Sequence, residues 1–345
     1  MAVEPGSASP PEALGGLGGR RRAMLFGLAL GIPVSGVFLW LAIRGADLDA
    51  VRAALANARI APLALAGAAF VVVYAAQAER WRRIVAVPTV GWTAFAEMVV
   101  SGVACNNVLP LRIGDLLRAR WLGRRAALPA GRALATVVLD RSCDLVVLFA
   151  FLLSTLPEVA GSGWSRRIAL GALALVLAVA VMLVFARAYT RRRSRARLAS
   201  RSLARRIMRD IVEGLAEPMG RRRLAAALVL SAVAWLSFTG AVICVARSVG
   251  VHLTVVDALF TTAVINLGVA IPSSPGFVGT YQWLAVAALD LVGVDRSSAL
   301  AFAILLQAIW YVPTTLGGGV MLALRGVRTV SRPTCVKKSG TESAS

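Results

Sequence analysis

The chain has 345 residues, 58% of them hydrophobic and 16% charged, with a formal net charge of +21. Soluble domains carry about 25% charged residues, so this composition excludes an ordinary soluble fold. Several uncharged runs approach the roughly 20 residues that cross a bilayer core, which predicts an all-α polytopic integral membrane protein.

Residues 1–22 are rich in Gly, Pro, Ser and Ala, end in Arg20, Arg21 and Arg22, and read as a disordered cytoplasmic tail. A transmembrane domain is expected over 23–325. Its first span is Ala23 to Ile43, longer than the roughly 7–15-residue core of a signal peptide. The second runs from Ile60 to Ala78 and ends in Glu79, Arg80, Trp81, Arg82 and Arg83, a basic and aromatic edge suited to the cytoplasmic interface. Trp92 to Leu109 is apolar, turns polar at Asn106 and Asn107, and breaks at Pro110. The stretch 110–132 then holds six Arg against one Asp. A full crossing at 92–109 would leave those arginines outside, against the inward bias of basic loops. The segment is therefore expected to enter from the cytoplasm, break, and return.

Gly131 to Leu156 is the next span, 157–167 an outer loop, and Ile168 to Ala186 a return span. The loop 187–223 carries thirteen Arg and three acids and is expected to be cytoplasmic. Within it Leu203, Ile207, Ile211 and Leu215 recur every four residues, which fits either an amphipathic helix on the inner leaflet or a solvated basic loop. Leu224 to Ala246 crosses outward to a loop at 247–254. Val255 to Ile271 is apolar and breaks at Pro272 and Pro275, and Tyr281 to Val294 follows. Ala299 to Leu324 is the last span before a basic cytoplasmic tail, 326–345. About six full spans plus two broken or re-entrant helical hairpins result. Flanking spans accompany the hairpins in mirrored order, which predicts an inverted repeat with a site near the bilayer midplane. Backbone broken at that depth is tolerated only where protein or a water-filled cavity covers it.

Charges inside spans are costly, so each is a functional candidate. Asp140 and Asp144 lie one turn apart on one helix face, with Arg141 between them directed elsewhere. They either pair as structural ions or face a polar cavity. Arg112, Asp115 and Arg118 follow the first break, where guanidinium groups and exposed amides suit a lipid phosphate. Arg120, Arg124 and Arg125 read as interface anchors. Asn106, Asn107, Pro110 and Gly114 shape the first break. Asn266, Pro272, Ser273, Ser274, Pro275, Gly276, Gly279, Tyr281 and Gln282 shape the second. Trp310 and Tyr311 read as belt or packing residues. The sequence contains no Gly-rich nucleotide loop and no GxSxG. Its four cysteines form no CxxC pair and His252 stands alone, so no metal or cofactor is expected. A membrane-embedded transferase using Asp140 and Asp144 stays open.

Three stretches, NNVLPLRIGDLLRAR, LDRSCDLVVL and IPSSPGFVGTYQ, together resemble the flippase-like transmembrane domain of lysylphosphatidylglycerol synthases over about 60–330. Asp115 and Asp140 stand where that family usually has Glu, which keeps charge and shortens reach. The resemblance implies a lipid flippase that moves an anionic or amphiphilic lipid between leaflets of the bacterial inner membrane. Arg112, Asp115, Arg118, Asp140, Arg141 and Asp144 would form its head-group site. The aminoacyl-transferring members carry a large soluble domain after the membrane part. This chain ends in a short basic tail, so translocation is expected rather than synthesis. The alternative is a transferase or accessory protein in glycolipid or hopanoid biosynthesis. Expected partners are anionic membrane lipids and lipid-biosynthesis enzymes, not nucleic acid. Arg125→Cys in a cysteine-free background should label only from the cytoplasmic face, and external labelling would exclude the re-entrant hairpin.

Overall fold

Short polar breaks divide long apolar helices throughout the chain. The computed structural model describes residues 33–109, 112–159, 203–216, 219–269 and 275–330. The tail 1–22, Pro110, the span 168–186, Pro272, Ser273, Ser274 and residues 331–345 lie outside the described residues. So do 187–202 and 217–218 of the basic loop. All secondary structure among the described residues is helical. In chain order the helices are α1 (Pro33–Ile43), α2 (Leu48–Ala56), α3 (Ile60–Val85), α4 (Trp92–Val108), α5 (Ile113–Ala126) and α6 (Ala130–Val159). They continue as α7 (Leu203–Ala216), α8 (Arg221–Ser248), α9 (Val255–Gly268), α10 (Thr280–Leu291) and α11 (Arg296–Val330). A 3-10 turn at Pro275–Phe277 precedes α10. Helices α3, α8 and α11 are long and apolar enough to cross a membrane. Helix α6 has 30 residues, enough to cross, and carries Asp140, Arg141 and Asp144 in an otherwise apolar run.

Helices α4 and α5 form a broken hairpin. They have 17 and 14 residues, about 21–26 Å at 1.5 Å per residue, short of a bilayer core of about 30 Å. Arg112 starts α5 in a left-handed conformation at φ 53°, unusual for a residue with a Cβ. Asn106 closes the break by accepting a hydrogen bond from the Gly114 amide at 2.7 Å. The arms run antiparallel and touch through backbone at Gly102 and Gly114, leaving no room for a side chain at Gly114. At the far end Arg125 meets Glu97 at 3.2 Å.

Helices α9 and α10 form the second broken hairpin, of 14 and 12 residues. Thr254 and Asp257 cap the start of α9 reciprocally. Gly279, at φ 87°, leads into α10, and its amide donates to Gln282 Oε1 at 2.6 Å.

The two halves pack as inverted copies. Helix α3 lies antiparallel against α8. At one end the Arg59 amide donates to the Ser248 carbonyl at 3.0 Å, midway the Phe70 and Phe238 rings sit 5.3 Å apart, and at the other end Arg80 donates to Ser231 at 2.7 Å. Helix α4 packs on α11, and correspondingly α9 packs on α6. Exchanging α3–α6 for α8–α11 reproduces the pattern of helix pairs. Because the counterparts α3 and α8 are antiparallel, that exchange reverses helix direction, which defines an inverted repeat.

A large apolar core joins Phe70, Trp235, Phe238 and Phe302, and a second centres on Trp81, Phe95, Met98 and Leu122. The basic loop is described over the helix α7 and over 219–223, where α8 begins. Leu215, Ile211 and Val212 pack on α6 against Ala135, Val138 and Leu139. The amphipathic helix of the two expected forms is the one present, with Ile211, Val212 and Leu215 resting on protein and Met208 exposed.

Candidate functional site

Helix α6 places Asp140 and Asp144 on one face, and that face meets α3, α5 and α8. Asp140 accepts from Arg80 Nε at 2.7 Å and from Arg118 Nη2 at 2.9 Å. Asp144 accepts from Arg80 Nη1, from Arg80 Nη2 at 3.0 Å, and from Trp235 Nε1 at 2.8 Å. The fork of Arg80 thereby matches the Asp144 carboxylate in the bidentate geometry that Lys cannot make. Arg118 also lies over the Trp81 ring at 4.4 Å. Arg80 is 0% exposed, and Arg118, Asp140 and Asp144 are buried with it.

Arg80 escaped the sequence reading, which grouped it with Arg82 and Arg83 at the interface. Those two side chains are exposed and share Glu79. The signal for Arg80 was the stripe Phe70, Val73, Gln77 and Arg80, spaced 3-4-3 along one helix face and buried throughout. Arg141 also differs from the expectation that it points away from its neighbours. Its guanidinium donates to Asp115 at 2.9 Å and folds back to Asp144 at 3.4 Å.

A cavity of about 150 Å³ lies where the two breaks meet, with walls from both repeats. Arg112, Asp115, Arg141, Asn106 and Asn107 line it from the first repeat, and Asn266 and Tyr281 from the second. Arg118, Asp140 and Asp144 do not line it. Arg112 reaches across from the first break: Nη2 donates to the Val269 carbonyl at 2.8 Å, and the guanidinium lies 5.7 Å from the Phe277 ring.

The asparagines carry structural bonds. Asn107 donates to Thr315 at 2.8 Å, and its carbonyl accepts from Tyr311 Oη at 3.2 Å, tying the first break to α11. Asn266 donates to the Thr262 carbonyl of its own helix at 2.8 Å. At the second break Gln282 bonds Gln307, which donates to the Gly276 carbonyl at 2.7 Å. This amide pair is the counterpart of Asp115–Arg141. Asp115 and Gln282 are each the third residue of α5 and α10, and Arg141 and Gln307 each the twelfth of α6 and α11. One half of the repeat thus holds its hairpin with an ion pair and the other with neutral amides. All three charged residues that line the cavity, Arg112, Asp115 and Arg141, therefore come from the first repeat, and Arg112 gives them a net positive charge.

An all-helical polytopic membrane protein of two inverted halves, with a cationic cavity between their broken hairpins, is the class this architecture defines. Residues 24–318 match the lysylphosphatidylglycerol synthase TM region, and the chain belongs to that family. The match takes in both hairpins and every charged residue of the network, and it places the chain among membrane proteins of lipid biology. No curated protein matches the chain.

Proposed function

We propose that this protein moves a lipid with an anionic head group between the leaflets of the bacterial inner membrane, with the head group held in the cavity between the breaks. The observation that carries this reading is a charge imbalance. Four guanidinium groups, from Arg80, Arg112, Arg118 and Arg141, face three carboxylates, from Asp115, Asp140 and Asp144. Among the described residues Arg112 pairs with no carboxylate, only with a carbonyl and a ring. Arg112 is exposed at the cavity, so its guanidinium is open to a ligand, and a lipid phosphate would supply the counter-ion that no carboxylate does. The volume also constrains the cargo. Pockets for small molecules start near 300 Å³, so about 150 Å³ accepts a head group and leaves acyl chains in the bilayer. The inverted halves supply the means for alternating access, one break opening toward each face. Transfer chemistry has weaker support, because Asp140 and Asp144 are saturated by Arg80, Arg118, Arg141 and Trp235 and stand off the cavity wall.

Purified protein in liposomes with labelled anionic lipid tests the reading. Losing a charge-assisted hydrogen bond costs about 1.5–3 kcal/mol, so Arg112→Ala should weaken apparent affinity at least roughly tenfold. Arg112→Lys should restore part of it, since charge returns without the planar fork. Arg124→Ala and Arg125→Ala, at the exposed end of α5, should change transport little. Equal behaviour of the alanine variants would remove the head-group site from this cavity, and appearance of a new lipid product would establish a transferase instead.

A further inference from the structure

Helix α11 holds the first hairpin near its break, along its arm and at its base. Near the break Tyr311 Oη donates to the Asn107 carbonyl at 3.2 Å. Along the arm Gly318 seats against α4 so closely that a Cβ there would lie 2.4 Å from Ala104 Cβ and 2.8 Å from the Val100 carbonyl oxygen. At the base, on the cytoplasmic side of the expected topology, Arg325 Nε donates to Glu97, and its guanidinium lies 4.7 Å from the Trp121 ring of α5. Arg125 donates to the same carboxylate at 3.2 Å. One acid therefore ties α4, α5 and α11 together. A concavity of about 540 Å³, lined by Thr89, Thr93, Glu97 and Arg125, opens beside it, so solvent reaches this contact. The second hairpin is held by different chemistry. Where α9 crosses the end of α6, Phe260 packs with Phe149, Leu152, Leu156 and Val159.

We infer that Glu97, Arg325 and Arg125 form a clasp that controls opening of the cavity toward the cytoplasm, and that the apolar contact at Phe260 controls opening toward the opposite face. This rests on the alternating-access reading of the two hairpins, in which each break opens toward one face. The two contacts answer to different forces. A partly exposed ion pair exchanges its partners for water at little cost and is screened by salt. Parting Phe260 from α6 has no such substitute, because apolar surface gains nothing from water and its packing contacts are lost outright. Charge and ionic strength therefore bear on one opening only. The competing reading is a plain structural staple. A staple that is cut loosens the fold as a whole and does not favour access from one face.

The test uses the full chain with Cys105, Cys143, Cys244 and Cys335 replaced by Ala and Val103→Cys added on the cavity wall. A membrane-impermeant thiol reagent is applied to right-side-out and to inverted membrane vesicles, and the labelling rate is read from each face. A partly exposed ion pair is worth up to about fivefold and a cation over a ring about two- to fivefold, so Arg325→Gln should speed cytoplasmic labelling by roughly 3–25-fold without raising the external rate. Arg325→Lys should fall between, and Arg124→Gln, at the exposed end of α5, should match the parent chain. Raising salt from about 0.1 to 1 M shortens screening from about 10 to 3 Å, which should speed cytoplasmic labelling of the parent chain and not of Arg325→Gln. Phe260→Ala should speed external labelling alone. Should Arg325→Gln fail to fold, Glu97→Gln gives the same comparison, and if neither folds the contact is a staple and the inference falls. An unchanged cytoplasmic rate in the folded variant would overturn the clasp, as would equal acceleration from both faces or in Arg124→Gln. Anionic lipid that stays in one leaflet of liposomes while labelling follows the clasp would instead remove the lipid cargo and leave the clasp standing.

Discussion

Arg80→Leu should cost this protein about 3–5 kcal/mol of stability, the range for breaking a buried ion pair from one side. The substitution strips Asp144 of its bidentate partner and leaves Asp140 with Arg118 alone. It also orphans Ser231 on α8. Helices α3, α6 and α8 meet at this one guanidinium, so the damage spreads across both repeats. Arg82→Leu is the matched control. Its side chain is 43% exposed and pairs with Glu79 on the same helix, an arrangement worth at most about 1 kcal/mol. Thermal loss of the monodisperse species in detergent reads both variants. Similar melting of the two would mean that the Arg80 cluster is not desolvated as the structure has it. Arg80→Met combined with Asp144→Leu should recover part of the loss, because joint apolar replacement of a buried pair removes the uncompensated charge.

Gly114→Ala should open the first hairpin. A Cβ there runs into the Gly102 carbonyl oxygen and lies 2.6 Å from Asn106 Oδ1. Backbone cannot rotate away as a side chain can, so α4 and α5 must separate and the Asn106 cap must stretch. Overpacking costs about 1–3 kcal/mol and occasionally more, and the lost bond adds about 1 kcal/mol. The separation also carries Arg112 away from Val269. Gly67→Ala on α3, where nothing lies within 4 Å, should instead be neutral or slightly stabilising through helix propensity. A disulfide trap between cysteines placed on α4 and α5 reports the spacing. If the trap closes equally fast with Ala at 114, the close approach of the two arms is wrong.

Local features of the sequence determined where the helices stop. Asn106, Gly114, Pro275, Gly276 and Gly279 announce their breaks because amide side chains, a fixed φ and a missing Cβ act within a few residues of where they sit. The length of each apolar run set the helix class, and the mirrored order of long and broken runs foretold two inverted halves. Partner choice was different. Arg112 and Arg118 stand six residues apart and looked equivalent as phosphate ligands. Arg112 precedes α5 in a left-handed turn and projects across to the end of α9, while Arg118 lies inside the helix, over Trp81 and against Asp140. Arg80 looked like an interface residue until α6 delivered two carboxylates from 60 and 64 positions away. Charge is a property of a residue, but pairing depends on which helices pack. Here the backbone contact at Gly102 and the antiparallel seating of α3 on α8 decided which guanidinium groups found carboxylates and which one, Arg112, lined the cavity without one.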